Sequence, residues 1–206
     1  NPIVAVLVAD EPEAAVAACK ALARGGVNAV ELVLRTPHAL ECIAAVVTGV
    51  PELQMIAGTV LMMHQLDDLL KIGVSAAVSP GMNPKIVEYA LSAGMSFVPG
   101  VCTPSDIEAA IDCGCTTLKF FPAEPSGGLS MLTSMGGPYK HLGLDFIPLG
   151  GIRESHVENY LKSDLVLAIG GSWICPLDLI NDARWDEIES RSHAATGTAR
   201  RMRGDA

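Results

Sequence analysis

The sequence predicts an α/β fold, a single-domain (β/α)8 TIM barrel spanning residues 1–206, on three observations. Short apolar runs of strand length alternate with amphipathic stretches of helix length along the chain. That alternation implies parallel strands joined by right-handed crossovers. Eight such units fill 206 residues at about 26 residues each, which favours closure into a barrel over an open doubly wound sheet. Finally, 50% of the residues are hydrophobic but only 4% aromatic, as expected of small branched side chains on buried parallel strands.

The first strand is expected at residues 3–8, and its helix at 12–24 stops at Gly25-Gly26. A strand at 29–34 leads to a helix at 37–47, and a strand at 55–60 to a helix at 62–72 ending at Gly73. The fourth unit pairs a strand at 76–79 with a helix at 84–93. The fifth pairs a strand at 96–101 with a helix at 104–113. The sixth strand, 116–121, precedes a weaker helix within 129–135, and the seventh, 145–149, precedes a helix at 154–162. The eighth strand is expected at 165–169, with a long polar helical tail from residue 176. No internal repeat, linker or low-complexity segment interrupts the pattern.

Composition excludes several classes. Half the chain is hydrophobic, so it is not disordered. No run of about 18 uncharged apolar residues appears, so no membrane span is expected. A formal net charge of −9 without a basic cluster argues against nucleic acid and anionic membranes as partners. The six cysteines form no C-x-x-C pair, so free thiols in a reducing cytoplasm are expected, not disulfides or zinc ligands. The opening residues Asn1-Pro2-Ile3-Val4 show no signal-peptide pattern. The five histidines fall on expected helices or loops without metal spacing, so no metal and no cofactor are expected.

In such barrels, chemistry sits at the C-terminal ends of the strands. Lys119 lies inside an apolar strand, where a lysine either snorkels to an edge or acts as a desolvated nucleophile forming a Schiff base. Glu31 and Arg35 share one face of the second strand. They make either a structural ion pair or a general acid/base beside a guanidinium that clamps a carboxylate. Thr59 offers a hydroxyl after the third strand, or simply caps a helix. Ser79-Pro80-Gly81 reads as a turn. Gly150-Gly151 and Gly170-Gly171 end the last two strands, where barrels often bind phosphate on backbone N–H groups.

These residues carry a family resemblance. The ordered set Glu31-x-x-x-Arg35-Thr36, Ala57-Gly58-Thr59-Val60-Leu61, Ser79-Pro80-Gly81, Pro99-Gly100-Val101, Lys119-Phe120-Phe121-Pro122-Ala123-Glu124, Gly150-Gly151-Ile152 and Gly170-Gly171-Ser172-Trp173 resembles the KHG/KDPG aldolases. The resemblance implies a metal-independent class I aldolase, usually a homotrimer, acting on a small phosphorylated keto acid in the cytoplasm. It implies Lys119 as Schiff-base lysine and Glu31 as acid/base. Arg35 and Thr59 would then hold the carboxylate, Pro80 and Phe121 line the pocket, and Gly150, Gly151, Gly171 and Ser172 bind phosphate. The family usually carries Thr where this chain has Val33 and Leu149, and a lysine near Ser130, so substrate preference is the part the resemblance leaves open. The galactonate epimer, 4-hydroxy-2-oxoglutarate and a phosphosugar-binding barrel without imine chemistry are the alternatives.

Overall fold

The computed structural model describes residues 2–204; the ends of the expected domain, Asn1 and Asp205-Ala206, lie outside the described residues. The chain opens with strand β1 (Ile3–Leu7), helix α1 (Pro12–Arg24), β2 (Ala29–Val33), α2 (Ala39–Gly49), β3 (Gln54–Gly58), α3 (Met63–Lys71), β4 (Ala76–Val78) and α4 (Pro84–Ser92). It continues through β5 (Ser96–Val98), β6 (Gly100–Val101), α5 (Pro104–Asp112), β7 (Thr117–Phe120), α6 (Gly128–Gly136), β8 (Asp145–Pro148) and α7 (Val157–Leu161). It closes with β9 (Ile169–Gly171), α8 (Leu177–Asn181) and α9 (Trp185–Arg203).

Local chemistry explains the best-defined helix starts. Pro12, Pro84 and Pro104 each open a helix, where the missing N–H costs nothing and the fixed φ already suits the helix. Asn83 caps α4 by accepting from the Lys85 N–H. Thr103 and Asp106 form a reciprocal capping box on α5. Along α1, Ala15, Ala18, Cys19 and Leu22 face inward at helical spacing. One apolar core runs from Ile3 to Ala199, and α9 packs back onto α1 and α7.

All strand pairings are parallel. Six strands in the order β5-β4-β3-β2-β1-β9 form a half-barrel, and β6-β7-β8 form a second sheet. The expected fifth strand is therefore two strands. Pro99 interrupts it, since proline lacks the N–H a ladder needs, so β5 pairs with β4 while β6 pairs with β7.

The eighth strand also differs from expectation. Around residues 165–167 the strand pairing is a single bridge between Val166 and Phe146, and the strand proper is β9, which pairs with β1 from Ile3 to Ala5. Gly170-Gly171 thus lies within a strand rather than in the loop after one. The 154–162 helix begins as a 3-10 turn at Glu154–His156, and the polar tail divides into α8 and α9.

All six cysteines are free, four of them buried. Burial pushes the Cys19 thiol from its ordinary 9.0 up to about 12. Burial first, then the neighbouring carboxylates of Asp10 and Glu41, pushes Cys42 up to about 11. These thiols stay protonated in the native state while the unfolded chain ionises near 9.0, so their contribution lowers stability as pH rises through about 9 towards 12. We expect iodoacetamide at pH 8 to leave Cys19 and Cys42 unmodified in the folded chain and to label both after denaturation, as read by peptide mass spectrometry.

Candidate active site

Parallel strands all point the same way, so residues at their C-terminal ends gather at one mouth. Lys119 projects from β7 and Glu31 from β2, on opposite sheets and 88 positions apart. Lys119 Nζ donates to Glu31 Oε1 at 2.8 Å and to Oε2 at 3.0 Å. The two residues are only 4% and 2% exposed. Lys119 therefore does not snorkel. Removing two charges from water costs several kcal/mol per ion, so such a pair is a poor stability device, and chemistry is the better reason for it.

The pair sits on a small cavity of about 20 Å³, otherwise walled by Val4, Ile56, Val78, Val98, Ile147 and Leu149. Gly58 makes the carboxylate's place: a Cβ there would stand 2.3 Å from Glu31 Oε1. Gly58→Ala is expected to displace Glu31 from Lys119 and to cut kcat at least tenfold, measured by steady-state kinetics, with the fold retained by circular dichroism.

Arg35 does not pair with Glu31. It is exposed beyond the end of β2, and its Nε donates to Thr59 Oγ1 at 3.0 Å. Thr59 caps no helix, since α3 starts from Met62. Its φ is +61°, a left-handed conformation that costs a β-branched residue roughly 1–3 kcal/mol and that tends to occur at functional sites. With Nε engaged, the guanidinium has two terminal nitrogens that could pair with a carboxylate.

Pro80 follows β4 and lies against β6, its carbonyl oxygen only 2.2 Å from where a Cβ on Gly100 would stand. Gly100 is the register partner of Lys119, which brings Pro80 beside the lysine strand. The Phe121 ring centre lies 5.4 Å from Lys119 Nζ, within cation–π range.

Gly150 and Gly151 have φ of +97° and +77°, and among the described residues their N–H groups reach no acceptor. A Cβ on Gly150 would stand 3.2 Å from the Phe121 ring, so this turn adjoins the lysine strand. Gly171 ends β9 with the Trp173 ring against it, and Ser172 beyond it is exposed. No three His, Cys, Asp or Glu residues gather as metal ligands among the described residues.

The sequence matches the family described as KDPG and KHG aldolase over residues 1–191. The chain belongs to the KDPG and KHG aldolase family. Within this aldolase family it is 38% identical to the 2-dehydro-3-deoxy-phosphogluconate aldolase of Pseudoalteromonas atlantica, over 97% of this chain and 92% of that protein. It is 37% identical to the KHG/KDPG aldolase of Escherichia coli, over 97% of this chain and 93% of that protein. The crystal structure of the Legionella pneumophila KDPG aldolase, holding pyruvate as a covalent carbinolamine, superposes with a TM-score of 0.90. That protein is 32% identical, and the match covers 94% of this chain and 93% of the other.

Two features of this aldolase-family site escaped the sequence reading. One is that the room left by Gly58 is taken by the Glu31 carboxylate. The other is Glu124, which stands inside the Lys119–Glu124 motif but was assigned no task. Its carboxylate accepts from the Tyr160 hydroxyl at 2.6 Å and lies 3.5 Å from His156 Nδ1.

Proposed function

We propose that this chain is a class I aldolase that cleaves 2-keto-3-deoxy-6-phosphogluconate to pyruvate and glyceraldehyde 3-phosphate. The observation that carries this reading is the buried Lys119–Glu31 pair. Lys119 passes a proton to Glu31 and attacks the C2 ketone, giving a carbinolamine; Glu31 returns that proton to the carbinolamine hydroxyl, which leaves as water, giving an iminium and a Glu31 carboxylate free to act as base. Glu31 takes the C4 hydroxyl proton as the C3–C4 bond breaks, and glyceraldehyde 3-phosphate leaves. The bond's electron pair flows into the iminium to give the enamine. Glu31 returns a proton to C3, and hydrolysis frees pyruvate and Lys119. Arg35 and Thr59 hold the substrate carboxylate, Pro80 and Phe121 line the pocket, and Gly150, Gly151, Gly171 and Ser172 hold the phosphate. Arg35, Lys119 and backbone N–H groups give a local positive field within a chain of net charge −9.

The test is reductive trapping: borohydride with pyruvate should leave one N-(1-carboxyethyl) group on Lys119, the reduced imine, and an intact folded chain without that adduct overturns the reading. The free N–H groups of Gly150 and Gly151 favour phosphorylated substrates over 4-hydroxy-2-oxoglutarate. Comparing kcat/KM on the gluconate and galactonate epimers ranks those two.

Three further readings accompany it. The two sheets are read as one closed (β/α)8 barrel and one domain, supported by main-chain bonds across both junctions: Lys119 N–H to the Pro99 carbonyl at 2.9 Å, and Leu167 N–H to that of Phe146 at 3.0 Å. The chain works in the cytoplasm, consistent with its free thiols; no helix among the described residues is long and apolar enough to cross a membrane. It assembles as a homotrimer, supported by the contiguous Leu61, Met62 and Met63, which are 52%, 55% and 42% exposed. Light scattering after size exclusion should give three times the 21.5 kDa chain mass; a monomer mass at micromolar concentration overturns the trimer.

A further inference from the structure

We propose that Glu124 is a positioning residue for phosphate recognition: it fixes the Gly150-Gly151 turn and locks it to the strand that carries Lys119. This deepens the aldolase reading above and rests on it. Glu124 lies five residues beyond Lys119, on the segment that leaves β7. There the backbone runs directly against the glycine turn. Ala123 N–H donates to the Leu149 carbonyl at 2.7 Å, and Glu124 N–H to the Gly150 carbonyl at 3.0 Å. The approach is closer than a side chain would permit. A Cβ on Gly150 would stand 3.0 Å from Pro122 Cα, and one on Gly151 would stand 2.8 Å from Glu124 Cβ.

The Glu124 side chain then passes the turn and engages the element that follows it. Oε1 accepts from the hydroxyl of Tyr160 on α7, and Oε2 faces His156 at the start of that helix. Tyr160 is 2% exposed, and burial, aided by the Glu124 carboxylate, pushes its phenol well above the ordinary range, so it remains a donor. Glu124 thus grips the turn from the β7 side by its backbone and from the α7 side by its carboxylate. With the Gly150 carbonyl engaged, the N–H groups of Gly150 and Gly151 stay open to an anion. A carboxylate beside a phosphate site would repel its ligand. Here its oxygens already face Tyr160 and His156, so Glu124 acts through the turn and not on the substrate.

The test compares Glu124→Ala, Glu124→Gln and Tyr160→Phe in the full-length chain. One substrate is phosphorylated, and the other is the phosphate-free 4-hydroxy-2-oxoglutarate. Glu124→Ala should raise KM for the phosphorylated substrate about tenfold while kcat stays within about threefold, and should leave KM for the phosphate-free substrate unchanged. Tyr160→Phe, which deletes one hydroxyl, should show the same selective loss at about threefold. Glu124→Gln keeps an oxygen for Tyr160 and should remain within about twofold of the parent. Calorimetry with inorganic phosphate provides an arm independent of turnover, with Kd rising about tenfold in Glu124→Ala.

Equal losses on both substrates, or an unchanged phosphate Kd, overturn the proposal. If Glu124→Ala does not fold, Tyr160→Phe decides. Pyruvate trapping on Lys119 should proceed in every variant. A parent chain that traps no pyruvate sinks the aldolase reading, while the phosphate titration still decides the role of Glu124.

Discussion

Lys119→Ala should abolish turnover, with no residual activity above the uncatalysed background and no pyruvate adduct after borohydride. No other lysine stands in the mouth among the residues assigned to the site, so on the proposed mechanism nothing replaces the Lys119 amine. Two separate effects are expected from this substitution. The chemical one is total, because an imine requires a primary amine. The structural one follows from leaving Glu31 buried and without its partner. Breaking a buried pair from one side costs about 3–5 kcal/mol unless the orphaned carboxylate takes up a proton. A lower Tm should accompany the lost activity. Lys119→Arg separates the two effects. It keeps a cation opposite Glu31 but cannot form an imine, so it should be inactive with a smaller loss of Tm. Turnover in either variant would remove Lys119 from the mechanism.

Glu31→Gln carries the second-largest effect. Loss of a positioned general acid/base costs roughly 10²–10⁴-fold in rate. The loss should fall on kcat for cleavage, because the C4 hydroxyl proton then has no acceptor. Imine formation should survive. The amide oxygen of Gln can still accept from Lys119, and borohydride should trap pyruvate on this variant, more slowly than on the parent. Rapid-quench measurement of the adduct alongside product release reads the two steps separately. A variant that cleaves at the parent rate would require another base, and among the described residues no second carboxylate lines the cavity beside Lys119.

The strand–helix alternation was legible because each unit is short and punctuated. The prolines at 12, 84 and 104 and the glycines at 26, 73, 94 and 114 mark helix ends by their own backbone constraints. The fifth and eighth strands were not legible in detail. Residues 96–101 look uninterrupted by hydropathy, and only the hydrogen-bond requirement at Pro99 divides them. Residues 165–169 are equally apolar, but the ladder with β1 starts only at Ile169. Glycine, which reads as a turn from sequence alone, is there a strand residue, placed under Leu149 and Trp173.

Lys119 and Glu31 were legible because a charged residue in a buried strand is costly and demands an explanation. Their partnership was not, since sequence put Glu31 beside Arg35 by face periodicity. Facing residues across a mouth are set by tertiary closure, which periodicity does not encode. Glu124 was hidden for a related reason: its partners lie on α7, 36 positions away in the case of Tyr160.

The split at Pro99 gives the ion pair a role in assembly. Glu31 belongs to the six-stranded sheet and Lys119 to the three-stranded one. Each charge can leave water only when the other arrives, so either sheet formed alone must keep its own charge hydrated. The two sheets are thereby obliged to dock together or to stay ajar. Catalytic competence should then be among the last properties a refolding chain regains, after its helices and most of its strands have formed.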